Sequence, residues 1–150
     1  MAVLKKQLRI YLDSNVYVSV AKQEIGKNWR GLFVECEQFF DYVKKQNHVI
    51  VLSDWFFEEV IVVSGESKES IMDYFKDSII NIELVELSEE IGRKELNRLG
   101  SHHADAKHVA IAIRNKCDCI VTFNVKDFEK AKSRIKVFEP LSLLLEDLSF

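Results

Sequence analysis

Short β-branched runs alternate with helix-patterned segments along almost the whole length of this chain, and that alternation limits the fold more than any other feature. Leu8 to Leu12 and Val49 to Leu52 read as buried strands, Ile82 to Leu87 and Ile135 to Phe138 as short strands, and Asp118 to Thr122 as a β-branched run between a helix and a polar loop. Between them, Leu32 to Lys45 carries Leu32, Phe33, Cys36, Phe39, Phe40 and Val43 at helical spacing. Further helices are predicted over Val16 to Glu24, Trp55 to Val63, Ser67 to Lys76, Glu89 to Leu99 behind a Ser88 cap, Ala104 to Lys116, Phe128 to Ala131 and Leu141 to Leu148 after Pro140. Strands separated by helices pair in parallel and must be covered on both faces, so the expected architecture is an α/β fold: a three-layer α/β/α sandwich around a mostly parallel sheet.

The 150 residues are expected to form a single domain, because one proline and five glycines leave no linker and 47% hydrophobic residues supply a core. No apolar run reaches the roughly 20 residues of a membrane span, and the first residues lack the apolar region of a signal peptide. Three cysteines, an odd number set in apolar segments, point to reduced thiols and a cytoplasmic setting. Cys117 and Cys119 form a C-x-C without a second pair, which favours packing over metal binding. A net charge of −3 excludes a global basic field. Contact with nucleic acid must then come from local patches, such as Lys107, Lys126, Lys130, Lys132 and Arg134, or from cations bridging phosphate to carboxylate.

In parallel sheets ligands bind beyond the carboxyl ends of the strands, where strand order reverses. Asp13 follows the first strand, Asn124 and Asp127 follow the fourth, and Asp105 opens the helix that leads into the fourth. With residues spaced about 100° apart around the Trp55 to Val63 helix, Glu59 lies roughly 60° from the apolar direction and Glu58 about 160° from it. Glu59 therefore faces inward. Asp13, Glu59, Asp105 and Asp127 are expected to converge, although Asp13 alone reads equally well as a helix cap, and Asp105 as a first-turn acid favoured by the helix dipole. Like charges about 4 Å apart repel by about 4 kcal/mol at an effective dielectric near 20. A divalent cation removes that cost; dense oxygen ligands suit Mg²⁺ or Mn²⁺, and such ions promote phosphodiester hydrolysis. His102, His103 and His108 complete no zinc spacing and read as solvated or structural.

The order of a strand ending in Asp13-Ser14-Asn15, an inward glutamate in SDWFFEEV, the helix DAKHVAIA beginning at Asp105 and the strand exit VTFNVKDF resembles the PIN-domain family, and within it the small VapC-like ribonucleases of toxin–antitoxin systems. The closing VFEPLSLLLEDL matches that family's last strand and helix, so the likeness covers nearly the whole chain. It implies a Mg²⁺- or Mn²⁺-dependent endoribonuclease with Asp13, Glu59, Asp105 and Asp127 as metal ligands. Thr122 and Asn15 would orient ligands or the attacking water, with Ser14 a weaker candidate. Asn124 puts an amide where many members carry an acid. RNA is the implied substrate, an antitoxin placing a basic side chain in the acidic pocket the implied partner, and a homodimer the implied assembly. The alternative is a catalytically weak or inactive PIN-like module that binds RNA or protein. A phosphatase or receiver-type domain of the same sheet class fits less well, since a haloacid-dehalogenase phosphatase places a second aspartate where this chain has Asn15.

Overall fold

The computed structural model describes residues 6–23, 30–87 and 89–146. Five strands, β1 (Arg9–Leu12), β2 (Val49–Ser53), β3 (Asn81–Val85), β4 (Cys119–Val121) and β5 (Lys136–Phe138), form one sheet in the order β3-β2-β1-β4-β5. Every pairing is parallel, with Ile10 of β1 opposite both Ile50 and Cys119. The chain therefore starts at the centre, builds one half of the sheet and then crosses back to build the other. The reversal falls at β1, which puts its carboxyl end next to that of β4.

Side-chain alternation along the strands sorts the core into two layers. Ile10, Leu12, Ile50, Leu52, Cys119 and Val121 point to one face and pack against α1 (Ser14–Ala21), α2 (Leu32–Lys45), α3 (Asp54–Ser64), α4 (Lys68–Asp77) and α7 (Pro140–Glu146). Tyr11, Val51 and Ile120 point to the other face, against α5 (Arg93–Leu99), α6 (His103–Arg114) and a 3₁₀ helix at Val125–Ala131. This is the expected three-layer sandwich. Phe39, Phe40, Phe56 and Phe57 are buried in the first layer, and exposed apolar surface stands at Ile61, Val62 and Val63 near the end of α3.

Local chemistry explains the element ends. Ser53 caps α3 by accepting a hydrogen bond from the Phe56 N–H at 3.0 Å, and Ser67 caps α4 through the Ser70 N–H at 3.1 Å. Gly65 closes α3 in the left-handed conformation, at φ 74°. Helix α6 ends in a Schellman turn with Lys116 at φ 55°, the Cys117 N–H donating to Ala112 O and the Lys116 N–H to Ile113 O.

Two expected boundaries shift. The helix expected from Glu89 starts only at Arg93: Ile91 is buried ahead of it, and Gly92 takes the cap position with extended backbone; the expected Ser88 cap lies outside the described residues. The short helix expected from Phe128 is a 3₁₀ turn that already begins at Val125, which draws Asp127 into its first turn with its N–H on Asn124 O at 2.9 Å. Among the described residues Cys36, Cys117 and Cys119 form no disulfide, and burial pushes the Cys117 thiol up to about 12 against the opposing pull of Arg9. Inert thiols of that kind fit packing.

Candidate metal centre

The carboxyl ends of β1 and β4 meet through a hydroxyl whose bonding capacity is filled. Thr122 Oγ1 donates to Asp13 Oδ2 at 2.7 Å and accepts from Asn15 Nδ2 at 3.2 Å and from the Asn124 N–H at 3.0 Å. Asn15 Oδ1 in turn accepts from the Phe123 N–H at 3.3 Å. Asp13, with its side chain 6% exposed, is thus fixed in orientation by a strand more than a hundred residues away.

Glu59 reaches the same point from α3, and Glu58 beside it is exposed. Ser14 Oγ donates to Glu59 Oε1 at 2.9 Å and lies 3.4 Å from Asp13 Oδ1, so it bridges the two acids. From the opposite layer comes His108. Its ring is fully buried; Nε2 is hydrogen-bonded to Glu59 Oε1 and stands 3.4 Å from Asp13 Oδ1. Its Nδ1 meets the Tyr11 hydroxyl, which shares a 2.7 Å hydrogen bond with the Ser53 hydroxyl that caps α3. Burial pulls the His108 pKa down, but the Glu59 hydrogen bond and the charges of Asp13, Glu59 and Asp105 outweigh it and leave it raised. Burial holds the Tyr11 phenol well above its ordinary pKa, so it remains a hydroxyl.

Asp105 and His108 lie one turn apart on α6, hence on one face of it. Asp105 is half-buried, and its carboxyl is pushed up to about 6, first by burial and then by the charges of Asp13 and Asp127. Three acids from three elements therefore act on one another, with Glu59 adding a smaller share. Asn124 is exposed, and its backbone, not its amide, ties into the Thr122 node. Trp55 Nε1 donates to Ala104 O at 3.1 Å, and Lys107 Nζ sits 4.0 Å from the centre of the indole ring, lacing α3 to the start of α6 beside the acids.

Of the residues singled out in the sequence, Asp13, Glu59, Thr122 and Asn15 are joined by hydrogen bonds into this cluster, with Asp105 and Asp127 in electrostatic reach. Among the described residues, the atoms that lie within 4.8 Å of one another as a possible ligand set come from Asp13, Glu59 and His108. That spread is close to the span of about 4 Å that donors around one ion occupy at bonds of about 2.1 Å. Two carboxylates and an imidazole suit a divalent cation. His108 is the member that spacing rules pass over, because they test histidines against zinc templates. Its signal was a polar residue at i+3 from Asp105 inside an otherwise apolar helix.

Comparison with solved structures returns a PilT N-terminus domain protein from the hyperthermophilic archaeon Sulfolobus solfataricus P2, with a TM-score of 0.55 and 10% identity over 95% of this chain and 96% of that one. The chain shares the fold of a PilT N-terminus, or PIN, domain. No family model matches the sequence, and no curated protein matches it. At 10% identity the likeness speaks for the PIN architecture alone, and the chemistry must be argued from the side chains.

Asp105 gives that chemistry a direct test. In the folded protein its carboxyl keeps a proton up to about pH 6, while the unfolded chain releases it near the ordinary 3.8. Stability is therefore lost as pH rises through that window, and the cost is complete above it. The shift corresponds to an upper bound of about 3 kcal/mol, and half exposure reduces it to on the order of 1 kcal/mol. With EDTA present, Asp105→Asn is expected to stabilise the protein by about that much at pH 7.5 and by nothing below about pH 4. Urea melts at both pH values check it; a variant no more stable at pH 7.5 means the acids are not crowded.

Proposed function

We propose that this chain is a metal-dependent endoribonuclease that hydrolyses RNA phosphodiester bonds, and that it serves as the toxin of a toxin–antitoxin pair. The observation that carries the reading is the cluster at the reversal point of the sheet: Asp13 and Glu59 fixed by Thr122 and Ser14, with the crowded Asp105 beside them. Asp13, Glu59, Asp105 and Asp127 would hold a Mg²⁺ or Mn²⁺ ion. Such an ion supplies Lewis acidity to water and to the phosphodiester. The chain's own part is orientation. Thr122 and Ser14 hold the two carboxylates in place, and burial keeps competing water away from Asp13.

Beside the cluster, Ser14, Trp55, Glu58, Glu59, Val62 and Val63 line a cleft of about 390 Å³. Its acidic floor suits the basic side chain of an antitoxin, and the exposed Val62 and Val63 offer that partner, or a second copy of the chain, an apolar footing. Single-stranded RNA incubated with the protein is expected to be cut with Mn²⁺ or Mg²⁺ present and left whole with EDTA. RNA bound yet uncut with both ions would replace this reading with that of a non-catalytic RNA-binding PIN module, which the exposed amide of Asn124 would then help to explain.

A further inference from the structure

An all-acid metal site has no use for an imidazole, yet His108 is its most deeply enclosed member. Three observations bear on its part. Nε2 faces both carboxylates at once, in contact with Glu59 Oε1 and 3.4 Å from Asp13 Oδ1. Nδ1 is engaged by Tyr11, which is anchored by Ser53 and so by the capped start of α3. The ring plane is fixed between Tyr11, with centroids 5.4 Å apart at 61°, and Trp55 at 6.2 Å. Metal-binding histidines are arranged in this way: one nitrogen directed at the ligand set, the other held by a hydrogen-bonding partner that sets the ring's orientation.

We propose that His108 binds a metal ion through Nε2 alongside Asp13 and Glu59, the Nε2–Glu59 hydrogen bond giving way and the Nε2 proton passing to solvent as the ion enters, and that the site therefore selects Mn²⁺ over Mg²⁺. This rests on the metal-dependent reading above and goes beyond it. Mg²⁺ demands oxygen donors and parts reluctantly with its waters, whereas imidazole nitrogen is a good ligand for first-row transition ions. A site with one nitrogen and two carboxylate donors gains on Mn²⁺ what it forgoes on Mg²⁺. Tyr11 and Ser53 act through His108 and are positioning residues.

The test uses the whole protein stripped with EDTA, calorimetric titration with Mn²⁺ and with Mg²⁺, and pulsed electron paramagnetic resonance of the Mn²⁺ complex of protein carrying ¹⁵N-labelled histidine. Wild type is expected to bind Mn²⁺ at least about tenfold more tightly than Mg²⁺ and to show a histidine nitrogen coupled to the manganese. His108→Gln is expected to lose the coupling and about tenfold in Mn²⁺ affinity, with little change for Mg²⁺, while His103→Gln keeps both wild-type properties. A wild-type Mn²⁺ complex without histidine coupling, or a His108→Gln variant that loses both ions equally, overturns the assignment. The wild-type spectrum decides the matter alone if the variant does not fold. Failure of wild type to bind either ion is a different result, since it removes the metal-dependent reading itself.

Discussion

Asp13→Asn is expected to lower RNA cleavage in Mn²⁺ by at least about a hundredfold, with the fold intact. The amide is nearly isosteric with the carboxylate and can still accept from Thr122 Oγ1, which donates to Oδ2 in the native site. What it loses is a full negative charge at the most buried acid of the cluster, 6% exposed. A neutral oxygen binds a divalent ion far more weakly than a carboxylate, so the loss is one of ion and of orientation together. Glu69→Gln is the matched control, because Glu69 is exposed on α4 and lines neither the cluster nor the cleft. Its activity should stay within about twofold of wild type, as an exposed charge on the solvent face contributes little. Equal activity in Asp13→Asn and wild type would place the chemistry elsewhere on the molecule.

Tyr11→Phe is expected to destabilise the protein by about 2 kcal/mol and to lower its melting temperature by about 5 °C. The ring itself loses no packing in this exchange. The Tyr11 hydroxyl is fully buried and stands between the Ser53 hydroxyl at 2.7 Å and His108 Nδ1. Its removal leaves the imidazole nitrogen in the interior without a partner, and an orphaned buried polar atom costs more than a hydrogen bond contributes when formed. Ser53 retains its bond from the Phe56 N–H, so α3 keeps its cap and the loss stays local. Chemical denaturation measures the change. A loss under about 0.5 kcal/mol would mean that water reaches Nδ1 and that the pair is not sealed.

How far the sequence could be read depends on whether a feature is local. The spacing of Leu32 to Lys45 matches α2 residue for residue, since helical periodicity is written within one segment. Glu59 was separable from Glu58 by the same rule, and Asp13 by its place after the first strand. Parallel pairing followed from the alternation of elements, and with it the neighbourhood of β1 and β4. The start of α5 was not legible, because burying Ile91 ahead of the helix is a tertiary demand that no local signal announces. Nor was His108. Its partners Tyr11, Glu59 and Asp13 lie 97, 49 and 95 positions away, and a histidine declares its role only through what surrounds it.

Those separations carry a consequence for the order in which the molecule is made. The Thr122 node ties Asp13 to the far end of the chain, and β4 takes its place against the middle strand β1 only after more than a hundred residues have been added. Asp13 and Glu59 emerge from the ribosome first, with the layer that Phe56 and Val60 help to build; His108 and Asp105 follow in the second layer, and Thr122 later still. A partly translated chain therefore carries the acids without the strand that orients them. On the proposed reading as a ribonuclease, that timing would keep the growing chain harmless to the message and the ribosome producing it, and would tie the onset of cutting to the completion of the central sheet.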